Sequence, residues 1–355
     1  MNLTQRISSA LAMMFGGGAQ LSNRNGFIDG AMSHWNQSVA APATLAASPG
    51  TFTGPIMWRA GAGTGGAGTI TVVDLRTSAD LAAMEGDDTN SCFKMVITAG
   101  STGTVAARSC GAFFQHIENV ARYAGKSVTL QFKLKADAPI TIPSVIASQA
   151  FGTGGAPSAT VVFDKAVSWA VGTSFKKFSV RLDVPSIQPK TLGTAGGDYL
   201  EVGFWLPPGV TTTGLYIAEA QIEACSPGAN PATDGTGGAP TSYEHRGFQA
   251  EQARVSRFFR AIQTNGASFS GIATGASDAF AFGQTLNPPM RATPAPSLTG
   301  SWSYTAPAGN SGAVSVIGVT PDMWYLHASG GSYTAGQTGY FGSSAGASVI
   351  LDARL

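Results

Sequence analysis

The groups in this sequence that could do chemistry are four histidines, a few clustered acids, two glycine-rich signatures and a C-terminal run of aromatic rings. His34, His116, His245 and His327 stand apart with no partner at i+2 or i+4, so a metal centre would need contacts between distant segments. Glu85, Asp87 and Asp88 supply oxygen donors of the kind Ca²⁺ takes, but not at EF-hand spacing, and a solvated acidic turn is the plainer reading. Gly342-Ser343-Ser344-Ala345-Gly346 fits G-x-S-x-G, a pattern that needs a downstream histidine for Ser344, and none follows. Gly61-x-Gly63-x-x-Gly66 matches the dinucleotide fingerprint in letters only, because a β-prone run, Thr69 to Leu75, stands where a helix must open. The paired carboxylates of a glycosidase need not be neighbours in sequence, and nothing here marks such a pair. No catalytic residue, metal or cofactor is assigned.

The aromatic residues divide by context. Phe132, Phe178, Phe204 and Trp205 lie in alternating strand-like runs and read as core. Trp302, Trp324, Tyr325, Tyr333 and Tyr340 sit beside Gly, Ser and Thr in turn-like sequence, as in Trp324-Tyr325 and Gly331-Ser332-Tyr333. A ring of that kind covers the apolar C–H face of a pyranose while nearby donors take its hydroxyls, which makes these five the candidate ligand-binding residues. Core packing is the alternative.

The elements that must position these groups are mostly β. Of 355 residues, 46 are Gly, 19 are Pro and only 12% are charged, a turn-rich balance, while 43% hydrophobic content is enough for a packed core. Net charge is +1 with Lys and Arg scattered, which gives nucleic acid and anionic membrane no footprint. Cys92, Cys110 and Cys225 form an odd set without CxxC spacing, so neither a disulfide framework nor a zinc site is signalled. No apolar run approaches the ~20 residues of a membrane-spanning helix, and no membrane insertion is expected.

The strongest period is in Lys126 to Ala136, where Val128, Leu130, Phe132 and Leu134 alternate with Thr129, Gln131, Lys133 and Lys135. That spacing predicts a half-buried antiparallel strand with one wet face, part of a sandwich. Further strands are expected at Thr69 to Leu75, Phe93 to Ile97, Ala159 to Phe163, Lys177 to Leu182, Tyr199 to Leu206 and Gly214 to Ile222. Leu3, Ile7, Leu11 and Met14 lie at helical spacing before Gly16-Gly17-Gly18 and suggest a short amphipathic attachment helix, although the stretch also loosely fits a signal peptide. Pro227 to Pro240 reads as a linker. From Phe248 the period changes, and Phe248, Val255, Phe258 or Phe259, and Ile262 share one face of a helix expected to run to Ile262. The expected organisation is an attachment segment over 1–20, a β-sandwich over 21–246, a helix over 247–263 and a smaller C-terminal β module over 264–355.

Several segments, taken in order, resemble a known family. Asn23 to Gln37, NRNGFIDGAMSHWNQ, is similar to the opening of a family of bacteriophage tail-fibre, head-fibre and related virion proteins, with Trp58 where those sequences often carry a second tryptophan. Gln115 to Asp137, Ser148 to Ala159 (SQAFGTGGAPSA), Phe175 to Trp205, Tyr216 to Glu223 (YIAEAQIE) and Tyr243 to Arg260 resemble later sections of the same family, in the same order. The resemblance covers about Asn23 to Ile262; Ile56-Met57 and Ser256 depart from its pattern.

The resemblance implies a jelly roll like those of carbohydrate-binding modules, carried on a virion appendage. Such proteins are commonly homotrimers that contact other virion proteins and take host cell-surface polysaccharide as target. A purely structural decoration, collar or connector protein is the rival, and a depolymerase a more distant one. Within a trimer, Phe248, Val255, Phe258, Phe259 and Ile262 would meet at the three-fold seam.

Overall fold

The computed structural model describes residues 25–34, 42–47, 55–85, 89–224, 242–264, 268–281, 284–306 and 312–354. Leu3, Ile7, Leu11 and Met14, expected above to attach, the expected linker from Pro227, Cys225 and the acids Asp87 and Asp88 lie outside them. The described chain is mainly β and divides into two compact units between Phe248 and Gln249.

The first unit is built from β1 (Ala43–Thr44), β2 (Arg59–Gly61), β3 (Ala67–Asp74), β4 (Ser91–Ala99), β5 (Ala112–Glu118), β6 (Ser127–Ala136), β7 (Ile140–Phe151), β8 (Val161–Val162), β9 (Lys165–Val171), β10 (Lys176–Asp183), β11 (Asp198–Trp205) and β12 (Thr212–Ala224). One antiparallel sheet runs β1-β3-β4-β12-β6-β10, and the other β2-β5-β11-β7, with β8 and β9 sharing the far edge of β7. Strands β4, β5, β6 and β7 alternate between the sheets and β10, β11 and β12 return among them, which is the winding of a jelly roll.

The alternation in β6 places Val128, Leu130, Phe132 and Leu134 in the core, each fully buried. Phe132 meets Phe204 edge-on at 5.2 Å, and Trp58 stacks on Phe113 at 4.7 Å with 13° between the planes. The opposite face corrects the half-buried expectation, because Thr129, Gln131 and Lys133 are buried as well. The segment after β3 folds over this face, packing Leu81 and Met84 near Leu75, Cys92 and Ala218 and accepting a hydrogen bond from Lys133 Nζ at Ala83 O, 2.6 Å. Residues 242–246 lie on it too, with Glu244 N donating to Gln221 Oε1 at 2.7 Å. A polar face of this kind survives burial only because its groups find partners. Glu85, expected in a solvated turn, is one of them: its carboxylate takes Lys177 Nζ at 2.5 Å and Tyr243 N at 2.8 Å.

The Asn25-Gly26-Phe27 stretch extends this sheet. Beyond Ile217, β12 has no β4 partner, and residues 25–30 occupy that edge: Gly26 N donates to Ile222 O, Ile222 N to Asn25 Oδ1, and Ala220 N to Gly30 O. Phe27 then inserts beside Trp58 at 4.8 Å. These family-like residues are structural.

The second unit takes in α1 (Phe248–Val255) from Gln249 onward and continues through β13 (Phe259–Gln263), β14 (Ser268–Ala273), β15 (Asp278–Ala281), β16 (Gln284–Thr285), β17 (Ala295–Thr299), β18 (Trp302–Thr305), β19 (Ala313–Ile317), β20 (Met323–Ser329), β21 (Thr338–Ser343) and β22 (Ser348–Asp352). The helix expected to reach Ile262 stops at Val255. Arg257 N and Phe258 N bond three residues back, tightening the last turn, and Phe259 to Gln263 then pair along β22. Local helical spacing loses here to a strand partner that buries two adjacent phenylalanines. The proposed seam changes accordingly. Val255, Phe258 and Phe259 are buried within the chain and Ile262 packs on the core of its own unit, so of the five only Phe248, 62% exposed and stacked on His34 at 5.1 Å, presents a ring face to solvent. The C-terminal β module therefore starts before 264, with β13.

Candidate functional site

A sheet face offers ligands every second side chain, so the alternation within each C-terminal strand decides which rings are available. In β20, Trp324, Leu326 and Ala328 point inward and are buried, whereas Met323, Tyr325, His327 and Ser329 point outward. Trp324 is 2% exposed and Tyr333 7%, with Tyr333 set edge-on to the fully buried Tyr304 at 5.2 Å. These two candidates are corrected to core. Trp302 is half-buried, stacked near Phe269 at 6.3 Å, and its Nε1 donates to Thr299 O at 2.9 Å. Tyr325 and Tyr340 remain as predicted rings on the outward face, Tyr340 being 50% exposed.

Register shows what surrounds them. The larger sheet runs β16-β20-β15-β14-β21-β18, with β19 on the free edge of β20. His327 lies opposite Phe280, Phe280 opposite Ile272, and Ile272 opposite Thr338, a row that crosses four strands. Beside it, Ser270 and Thr305 flank Tyr340 from either side. His327 stacks on Phe280 at 4.7 Å and its Nε2 lies 3.1 Å from Asp278 Oδ1.

Two grooves lie on this face. One, about 600 Å³, is lined by Ser270, Ile272, Thr305, Thr338 and Tyr340. The second, about 350 Å³, holds Ser268, Ser303 and Gly342, with Trp302 at its border. Both fall in the size range of small-molecule sites. Ser344, the serine of the G-x-S-x-G run, accepts from Ser301 N through its hydroxyl and sits in a turn.

The sandwich carries a second cluster that no linear motif announced. On the outward side of β5, β11 and β7, Glu201 takes His116 Nε2 at 3.1 Å, Ser148 Oγ at 3.1 Å and Arg108 Nη2. Arg108 also reaches Asp164 Oδ1 at 2.5 Å and lies over the Trp205 ring, whose Nε1 donates to Asp164 Oδ2 at 3.0 Å. His116 stacks flat on Tyr199 at 3.7 Å. Members from a loop, three strands and the β8–β9 turn converge only in the fold. A one-letter alternation in FFQHIE and DYLEVGFW does put His116 and Glu201 on the same side, and was the available signal.

An acid beside a histidine invites a reading of Glu201 as a general acid, and its electrostatics argue against that role. Burial alone would push the Glu201 carboxyl up, yet the His116 hydrogen bond, the Arg108 charge and the Ser148 hydroxyl outweigh it and hold it below the ordinary carboxylate range. A general acid needs the opposite shift. The cluster instead pins the loop that carries Arg108, whose own φ of 50° is left-handed and needs such restraint. Glu85 behaves alike: burial raises it, but Lys177, Tyr243 N and the Lys133 charge leave it lowered. A carboxyl lowered on folding contributes stability above its unfolded value, about 4.3, and loses it as pH falls through the folded one. The urea midpoint should therefore stay level from pH 7 to about 5 and drop below about 4, with the drop reduced in Glu201→Gln. An equally steep drop in that variant would refute the assignment.

Among the described residues no group of three His, Cys, Asp or Glu side chains is placed to hold a metal ion. The sequence matches no protein-family model, and no curated protein matches it. Solved structures that it resembles include the CBM22-2 xylan-binding domain from Paenibacillus barcinonensis Xyn10C, at 18% identity over 51% of this chain and 98% of that one, TM-score 0.30. A putative sugar binding protein from Bacteroides thetaiotaomicron is 12% identical over 57% of this chain and 100% of that one, TM-score 0.35. The enzymatically active domain of tailspike protein 4 from bacteriophage CBA120 is 16% identical, covering 57% of this chain and 22% of that one, TM-score 0.32. The architecture stands on the strand order itself.

Proposed function

We propose that the chain is a non-catalytic glycan-binding protein of a phage virion, which meets host cell-surface polysaccharide through the outward face of its seven-stranded C-terminal sheet. The observation that carries this reading is Tyr340, half-exposed in a groove whose other lining groups are hydroxyls, glycine backbone, one isoleucine and one alanine. A ring offers the apolar contact and the hydroxyls the directional one, a division of labour that suits sugars. The virion setting and a homotrimer rest on the sequence resemblance. Three copies would multiply a weak site by avidity.

The test is binding of the purified chain to host cells and to host-derived polysaccharide. Tyr340→Ala should weaken binding about tenfold or more, while the unfolding transition stays put because the ring is half in solvent. Binding to assembled virion proteins with no affinity for any polysaccharide would favour the structural role instead. Shortening of the polysaccharide on incubation would overturn the non-catalytic part.

A further inference from the structure

We infer that the ligand of the seven-stranded face is an uncharged, extended oligosaccharide chain, and that glycans rich in carboxylate or phosphate are excluded from it. The inference rests on the glycan-binding reading above and deepens it. Its ground is the distribution of charge within the second unit.

All five cations of Gln249–Arg354 are arginines: Arg254, Arg257, Arg260, Arg291 and Arg354, with no lysine. None belongs to the strands of the large sheet. They lie in α1, in β13 and around Phe258 and Phe259, where Arg257 and Arg291 stand over the Phe258 ring at 5.9 Å and Arg354 over the Phe259 ring at 4.4 Å. The large sheet has one ionised side chain along all its strands, Asp278, beside His327. An anionic sugar arriving there would find no guanidinium or ammonium to pair with and one carboxylate to repel it. Burying an unpaired charge against that face is unfavourable, and sites that select anions are built with Arg or Lys.

The groups that line the grooves include Ser268, Ser270, Ser303, Thr305, Thr338 and Tyr340, whose hydroxyls both donate and accept. They match the hydroxyls of a neutral sugar. The two grooves follow the same three strands, β14, β21 and β18, end to end: one holds Ser270 and Tyr340, the other Ser268 and Gly342, which are the next outward positions. From Ile272 to Ser268 the trough is about 14 Å long at the rise of an antiparallel strand. A run of linked rings fits that length better than one ring.

The experiment titrates the full chain with neutral oligosaccharides (dextran, mannan and xylan fragments) and with polygalacturonate and alginate fragments, at low and high salt. Expected is binding to a neutral member with little salt dependence, affinity rising with chain length, and a loss of about tenfold or more in Tyr340→Ala. Ser270→Lys should add salt-sensitive binding of the acidic fragments. Salt-sensitive binding of polygalacturonate or alginate by the natural chain overturns the inference while leaving glycan binding intact. So does neutral binding that Tyr340→Ala and Ser270→Lys both leave unchanged. Failure to bind any glycan of either class overturns both readings.

Discussion

Replacing Lys133 by Met is expected to destabilise the first unit by about 3–5 kcal/mol, read as a lower urea midpoint with little change in slope. Lys133 is 5% exposed in the middle of β6, and its ammonium lies 2.6 Å from Glu219 Oε2, 3.7 Å from Glu85 Oε1 and 2.6 Å from Ala83 O. Glu219 is the more confined partner, 1% exposed at its side chain, on the bulge where the β12–β6 register shifts. Its left-handed φ of 44° is what turns it towards Lys133 and lets Oε1 accept Glu85 N at 2.6 Å. Taking away the cation leaves a carboxylate buried without its counter-charge, which costs more than the ion pair itself contributes. The double variant Lys133→Met with Glu219→Gln should therefore recover a large part of the loss. If it is as unstable as the two single losses added, the residues act independently and this account fails.

Trp58→Ala is expected to cost a similar amount, about 3–5 kcal/mol. The indole is fully buried, stacks on Phe113, tilts against Phe27 at 4.8 Å, meets Phe132 edge-on at 6.1 Å, and donates Nε1 to Asp29 O at 3.0 Å. It joins both sheets to residues 25–34, so its loss opens a cavity where three parts of the sandwich meet. Trp58→Phe should lose much less, since a ring remains and only the indole hydrogen bond is gone. Equal losses in the two variants would place the energy in the hydrogen bond and not in packing.

How much of this was legible in the sequence depends on how local the cause is. The β6 alternation gave the sandwich and its core face, because a period of two is enforced along a single strand. It could not show that Thr129, Gln131 and Lys133 are covered, since the cover comes from residues near 81 and near 244. Strand β7 is absent from the expected strands, and its sequence ITIPSVIASQAF carries Pro143. In the fold that proline sits where the β7–β9 register shifts and just beyond the last β11 pair, Ser144 with Trp205, so no ladder bond is forfeited. At Phe258-Phe259 helical spacing pointed to a longer helix, and only the strand at 348–352 decides otherwise. In the C-terminal unit, Trp324 and Tyr325 are neighbours in a strand and must face opposite ways. Read as turn residues they looked equivalent.

The docking of residues 25–30 along β12 sets a timetable for making the protein. Asn25 emerges from the ribosome early, yet its partner Ile222 is 197 residues downstream. At about 5–20 residues per second, translation takes roughly 10–40 s to deliver it. During that interval Phe27 and Trp58 have no finished sheet to enter, and nascent chains that stop short of β12 should be recognised by chaperones or degraded, whereas those that pass it can close the sandwich before release.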